Sequence, residues 1–524
     1  MKRRDFIKRV GPAVTVPFVL NGLPINAYSR RTGLESFLRT AAETDRVLVL
    51  IQLSGGNDGI NTVLPLDQYA SYQSLRANIA IPESKALVLK PGTGLHPAMS
   101  AVHTMYQNGQ MAVVQGVCYP NPNLSHFRAT DIWLTGSDYN QYLRDGWLGR
   151  YLDGEFPGYP TGYPNAQMPD PLAIQIGAVV SPALQGSAQM LGIAITDPST
   201  FYALVNGGKP GGLDDPPAGP AGKELEYIRG VQLESQQYST AIKTAADKAQ
   251  NKATYPTQNT LADQLKIVAR LVAGGLRTPI YIVTLGGFDT HAAQVATDTT
   301  TGTHATLLGR LSEAVSAFHS DLAANGVADR VVSMTFSEFG RRVQSNASEG
   351  TDHGTAAPVL VFGSKVLGGI IGGNPSLTSL DNGNLKMQHD YRQVYASLLS
   401  QWFEASPSET QAALFKQYTQ VPIIRGGASS AEAAGITTGF RLEQNYPNPF
   451  NPATNIHFTV PRESDVVLRV YDARGHFVAT LAEGRVHAGT HRVTFDAAGL
   501  ASGVYTCRLM AEGYAESRSM VLTR

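Results

Sequence analysis

Six stretches of the chain are almost wholly apolar and only six or seven residues long. They are VLVLIQL (Val47 to Leu53), MAVVQGV (Met111 to Val117), LAIQIG (Leu172 to Gly177), PIYIVTL (Pro279 to Leu285), RVVSMTF (Arg330 to Phe336) and PVLVFG (Pro358 to Gly363). Nearly unbroken runs of this length predict strands covered on both faces, as in a parallel sheet. Between them lie segments with apolar residues at three- and four-residue spacing, such as Thr306 to Ala323, which predict helices. GWLGRYLD (Gly146 to Asp153) reads as an amphipathic helix with Trp147 and Leu148 packed and Arg150 exposed. Asp390 to Phe403 reads as a closing helix. Strands alternating with helices predict an α/β domain, a layered sheet with helices on both faces. The Gly- and Pro-rich segment Gly207 to Gly222 reads as a surface loop, and Gln232 to Gln250 as a polar helix over the sheet.

The texture changes at RGGASSAEAAG (Arg425 to Gly435), a linker by composition. Beyond it NIHFTV, DVVLRVYD, FVATLA, HRVTFDA and GVYTCRLMA alternate apolar and polar positions between turns. This pattern predicts a small all-β sandwich. The first residues, MKRRDFIKR and then a mildly apolar stretch broken by Pro12 and Pro17, read as an export signal. Arg3 and Arg4 favour the twin-arginine route over an ordinary signal peptide. The expected plan is therefore a signal over 1–28, an α/β domain over 29–424, a linker over 425–438 and a β-sandwich over 439–524.

Composition narrows the function classes. The 42 basic and 42 acidic residues cancel, so no general electrostatic drive toward nucleic acid exists and any charge-based function is local. The two cysteines, Cys118 and Cys507, fall in different predicted domains, which argues against a disulfide framework or a thiolate zinc site. No later segment carries the roughly 18 apolar residues a membrane span needs.

The ionisable residues cluster after predicted strands, where ligands of doubly wound sheets sit. Asn57 and Asp58 follow the first strand, and Ser125 and His126 open a helix after the second. Asp289 and His291 lie in GGFDTH, Glu338 and Arg341 in SEFGRR, and Asp352 and His353 in GTDHG. His389 and Asp390 precede the last helix. Carboxylates and imidazoles together suit a divalent cation, zinc or manganese rather than calcium. For GTDHG alone two readings stand level: a metal-binding pair, or a turn whose Asp caps a helix. LSGGNDG lacks the spacing of a dinucleotide loop.

Two resemblances sharpen these expectations. LEQNYPNPFNPATNIHFTVP and LASGVYTCRLMAEG resemble the C-terminal sorting domain of the type IX secretion system, in its type A form, with an immunoglobulin-like sandwich. That implies export across an outer membrane to the cell surface or beyond. LIQLSGGNDGINTVLP, GLHPAM, VQGVCYPNPNLSHFRATDIW, GGFDTH, SEFGRR and GTDHG resemble the family called domain of unknown function 1501. Through it the chain is similar to the alkaline phosphatase and sulfatase superfamily. The resemblance implies an alkaline-phosphatase-like fold binding one or two metal ions. Asp58, Asp352 and His353 would hold one ion, with Ser125 as bridging nucleophile. Asp289, His291 and His389 would hold the other. The Asp-to-His spacing in GGFDTH is tighter than the superfamily pattern, which leaves His304 as an alternative to His291. His126 would assist proton transfer, Arg128 and Arg341 would contact an anionic substrate, and Glu338 would bind metal or hold Arg341. No C/S-x-P-x-R motif stands near Ser125, which argues against formylglycine chemistry.

The expected function is a secreted metal-dependent hydrolase of small-molecule or glycan phosphate or sulfate esters, with the two export machineries as partners. The alternative is a non-catalytic surface-binding or envelope protein on the same fold, its site degenerate.

Overall fold

The computed structural model describes residues 46–206 and 238–426, 440–523 apart from 443, 446–447, 461–463, 487–488 and 512–513, and the pair 18–20 and 23–25. The twin-arginine motif, the 207–222 loop and most of the linker lie outside the described residues, as does the first part of the Gln232 to Gln250 helix. Of that helix, 238–248 is described and helical. Met1–Thr44 forms a unit separate from Asp45–Arg524.

Every apolar run predicted as a strand is one. In spatial order the central sheet contains Gly369–Ile371, Met111–Cys118, Ala357–Phe362, Val331–Phe336, Val47–Ser54, Ile280–Gly286, Ala173–Ile176 and Ile193–Ile195, and the short His389–Asp390 pairs with Met111–Cys118. The sheet is mixed rather than parallel: Ala357–Phe362 runs antiparallel to both neighbours, while all other pairings are parallel. An all-apolar run records burial on two faces and carries no sign of direction.

Both faces are covered. Along Val47–Ser54 the side chains of Leu48 and Leu50 enter one apolar cluster, while Val47, Val49, Ile51 and Leu53 enter another. This is the two-residue alternation of a strand, with apolar residues at both phases. Helices Thr260–Ala273 and Thr303–Ala324 close one face, and His126–Thr135, Trp147–Glu155 and Tyr391–Ser397 the other. Asp390 starts the last of these with a capping box to Gln393. Trp147 and Leu148 are buried as expected; Arg150 is not exposed, because its guanidinium donates to the carbonyls of Ala413, Asp145 and Thr135.

The C-terminal strands form a three-stranded and a four-stranded antiparallel sheet sharing one core, with Ile456, Phe458 and Phe495 facing Val466, Leu468 and Leu509. Tyr514–Leu522, not foreseen as a strand, pairs along its whole length with Gly503–Ala511. Among the described residues no helix is long and apolar enough to cross a membrane. Cys118 and Cys507 are buried free thiols, pushed up to about 12 by burial.

Candidate metal centre

The strands Met111–Cys118, Val47–Ser54, Ile280–Gly286 and Val331–Phe336 end on one edge of the sheet, and the reversed Ala357–Phe362 starts there. The loops carrying His126, Gly55, Asp289, Glu338 and His353 therefore meet. Buried bonds clamp them: Ser337 Oγ donates to the Leu53 carbonyl (2.7 Å) and accepts from Asn57 N (2.9 Å). Gly350 and Gly354 of GTDHG are needed for close approach. A Cβ on Gly350 would stand 2.3 Å from the His291 carbonyl, and one on Gly354 2.3 Å from the Arg341 carbonyl carbon. Gly56, at φ +78°, leaves room for the Phe339 ring, which packs on the imidazoles of His126 and His353.

His126, Asp289 and His353 each bring one donor atom to within 4.8 Å of the others. Asp289 Oδ1 lies 3.5 Å from His126 Nε2, 3.2 Å from His353 Nε2 and 3.2 Å from His291 Nε2. His291 and His353 face each other Nε2 to Nε2 at 2.8 Å. The opposite ring nitrogens are held as well. His126 Nδ1 is 2.8 Å from Glu338 Oε1, and His353 Nδ1 is 2.8 Å from the Leu124 carbonyl oxygen. Carboxylate and carbonyl oxygens only accept, so both Nδ1 atoms carry the proton, and in the neutral imidazoles both Nε2 atoms present lone pairs. Lone pairs thus converge on the acceptor Asp289 Oδ1, an arrangement relieved only by a cation or a shared proton.

The donor set fits a divalent ion. Nitrogen and oxygen donors about 2.1 Å from zinc in a tetrahedron stand about 3.4 Å apart, which the 3.2 and 3.5 Å separations of His353 and His126 from Asp289 match; the 2.8 Å between His291 and His353 is too short for two ligands of one such ion and is a hydrogen-bond distance. Imidazoles whose far nitrogen is tied to a carboxylate and to a carbonyl have the outer partners that metal ligands use. Glu338, 2% exposed, also accepts from Gly55 N, so its place is fixed.

The remaining expected site residues fall around this cluster. Asp352 does not converge on the same point as His353. The two straddle His291, with Asp352 Oδ1 3.5 Å from its Nδ1 and His353 at its Nε2. The cause is a short antiparallel bridge between Arg341 and His353, whose extended backbone turns neighbouring side chains apart. Arg341 faces inward. It is 1% exposed and donates to the carbonyls of Gly55, Gly56, Phe288 and Thr351 and to Asp289 Oδ1 (2.7 Å). Burial pushes the Asp289 carboxyl up, but this guanidinium together with His353 and His291 outweighs it and holds it at about 2. Arg128 is likewise engaged, with Asp131 and the carbonyls of Tyr139 and Gln141. Both guanidinium groups are thus largely engaged within the protein.

Asp58 is not brought to the cluster. It is wholly buried, its Oδ2 2.6 Å from both Arg76 and Gln294, and its Oδ1 caps a short helix. His304 is also buried elsewhere, 3.0 Å from Asn57 Oδ1, so His291 is the histidine that meets Asp289. His389 sits on another part of the edge, its Nδ1 3.0 Å from the Gln115 carbonyl. Ser125 is the exposed N-cap of His126–Thr135; its hydroxyl makes no capping bond, and Leu124 beside it holds His353. Arg76 and Gln294 had no signal in the sequence, since neither stands in a motif.

An α/β domain with an imidazole–carboxylate cluster on its sheet edge is thus joined to a small β-sandwich. Residues 223–404 match the family described as "Protein of unknown function (DUF1501)", and residues 444–523 the "Secretion system C-terminal sorting domain". The first match holds Asp289, His291, Glu338, Arg341, Asp352 and His353; His126 precedes it. The type IX sorting domain marks the chain for secretion to the cell surface or the extracellular space. A comparison with curated proteins found no match.

Among solved structures, the chain is similar to a protein in the alkaline phosphatase superfamily from Vibrio parahaemolyticus. Identity is 8%, covering 81% of this chain and 77% of that one, with a TM-score of 0.33. A Bacteroides thetaiotaomicron protein from work on glycosaminoglycan metabolism is 12% identical, over 86% and 90% of the two chains, with a TM-score of 0.30. Latent PorU of Porphyromonas gingivalis is 16% identical over 16% of this chain, with a TM-score of 0.13. The chain spans only 9% of PorU and 13% of PorZ from the same organism.

Proposed function

We propose that His126, Asp289 and His353 bind one divalent cation, zinc or manganese, with His291 beside them, and that the exported protein hydrolyses phosphate or sulfate esters there. The convergence of three imidazole nitrogens on Asp289 Oδ1, at 3.2, 3.2 and 3.5 Å, carries this reading. When bound, the ion supplies a Lewis acid that polarises an ester oxygen and lowers the pKa of a nearby hydroxyl. Ser125 is the nucleophile: its hydroxyl is exposed and uncapped at the start of a ten-residue helix. The free N–H groups of that first turn favour the anionic ester group. Glu338 keeps the His126 proton on Nδ1, and Arg341 keeps Asp289 ionised and in place. The signal over 1–28 and the boundaries of the sorting module complete the reading as an exported enzyme delivered by the twin-arginine and type IX machineries.

One observation favours a second reading. Arg128 and Arg341 are consumed inside the protein, as a non-catalytic binding or envelope protein would allow.

Elemental analysis of the purified full chain tests the metal, and turnover of p-nitrophenyl phosphate and p-nitrophenyl sulfate tests the chemistry. One equivalent of zinc or manganese, absent from His353→Ala, with turnover lost in a metal-loaded Ser125→Ala, is the expected result. Metal without turnover of any ester supports the binding reading. A folded protein that takes up neither metal removes the proposal.

A further inference from the structure

We propose that Gln294 sets the separation of two of the three loops that carry the cation's ligands, those of Asp289 and His353, with Asp58 and Arg76 as its fixed base. The proposal rests on the metal-binding reading above and assigns Gln294 a positioning role.

Gln294 is fully buried. Its Nε2 donates to Asp58 Oδ2 at 2.6 Å, and its Oε1 accepts from Thr290 Oγ1 and Thr351 Oγ1, both at 2.9 Å. Thr290 stands between Asp289 and His291; Thr351 stands two residues before His353. One carbonyl oxygen therefore ties together two of the three loops whose side chains form the cluster, those of Asp289 and His353. Backbone bonds run beside it, from Thr351 N to the Thr290 carbonyl (3.1 Å) and from Gln294 N to the Glu349 carbonyl (2.8 Å).

The amide can point only one way. An ionised Asp58 has no proton to give, so it must face the NH₂ end, which leaves the oxygen for the two hydroxyls. Burial pushes the Asp58 carboxyl up, but Arg76, at 2.6 Å, together with His304 and Gln294 outweighs this and holds it at about 2. Arg76 is anchored in turn by the carbonyls of Val343 and Arg342 (both 2.8 Å) and by Asn61 Oδ1. The chain of contacts runs from a buried ion pair through one amide to both of these loops. The carboxylate that the superfamily resemblance would place on a metal is instead the base of this tie.

Outer partners that orient metal ligands typically change affinity about 10- to 100-fold when removed. The test measures zinc affinity of the full chain by competition with a fluorescent chelator, beside the melting temperature of the metal-free protein. Gln294→Met keeps the volume and removes all three side-chain bonds; Thr351→Val removes one.

The expected result is zinc binding weakened by about 10- to 100-fold in Gln294→Met and by less in Thr351→Val. The double variant should be no weaker than Gln294→Met alone, because both changes act through the same oxygen. Affinity within about twofold of wild type in Gln294→Met, with only the melting temperature lowered, overturns the proposal, since purely structural bonds behave that way. Additive losses overturn it too. If Gln294→Met does not fold, Thr351→Val decides by the same twofold criterion. A wild-type chain that takes up neither zinc nor manganese overturns the metal reading, and this inference with it, whereas normal metal binding in the variants overturns the inference alone.

Discussion

Asp289 and Asp352 look interchangeable along the chain, each an aspartate close to a histidine in a glycine-rich loop, yet their surroundings separate them. Asp289 Oδ1 meets three imidazoles and Arg341, whereas Asp352 meets Asn346 (3.2 Å) and the outer nitrogen of His291 (3.5 Å). Asp289→Ala should abolish metal binding, and Asp352→Ala should weaken it by less than about tenfold, as loss of a loosely held outer partner does. Isothermal titration of both variants with zinc checks the contrast, and equal losses would count against it. Glu338→Gln should fall between them, because a neutral amide still reaches His126 Nδ1 but without a charge. Asp58 makes a different prediction. Removing its partner, as in Arg76→Met, strands a buried carboxylate and should cost about 3–5 kcal/mol of stability by urea unfolding.

At the scale of elements, much of the fold could be read because strand and helix periods depend on side-chain polarity alone. All six apolar runs are strands, and Thr303–Ala324 is the helix foreseen over Thr306 to Ala323. The reversed direction of Ala357–Phe362 left no trace in its residues, since hydrogen-bonding partners lie far off in sequence. Of the cluster, GGFDTH and GTDHG were legible as glycine-flanked polar loops. His126 as a lone-pair donor was not, because its role depends on Glu338, 212 residues away. The glycines of GTDHG are there because of crowding and not for a left-handed backbone: neither Gly350 nor Gly354 is in that region. Gly350→Ala would push its new methyl group into the His291 backbone, displacing that loop from Asp289 and His353. It should cost about 1–3 kcal/mol, as overpacking does, and weaken zinc binding as well. Gly286→Ala, with nothing within 4 Å of its Cβ, is the control and should leave both unchanged.

The whole molecule carries an acid sensitivity set by histidines that the metal does not use. His319 is 2.7 Å from Ser333 Oγ, His304 contacts Asn57, and His96 caps a turn through Ala98 N. Burial holds His319 and His304 down at about 4 and His96 at about 3. Unfolding returns each to about 6.5, so between roughly pH 6.5 and 4 the unfolded chain binds protons that the folded chain refuses. Stability from these groups is therefore complete above pH 6.5 and falls as the pH drops, by up to about 2 kcal/mol per histidine at pH 5. Asp58, held at about 2, acts in the same direction but only below its unfolded value near 4, so it does not contribute to this limb. All three tryptophans, Trp133, Trp147 and Trp402, lie in the α/β domain, so their fluorescence follows that domain alone during urea unfolding. Metal-free protein should lose several kcal/mol between pH 7 and 5. His319→Gln lies away from the cluster and keeps a group able to bond Ser333. It should be somewhat less stable at pH 7 but show a flatter slope, recovering about one histidine's share at pH 5. An unchanged slope would mean that His319 takes up its proton in the folded state, and that the packing around Ser333 opens before the domain unfolds.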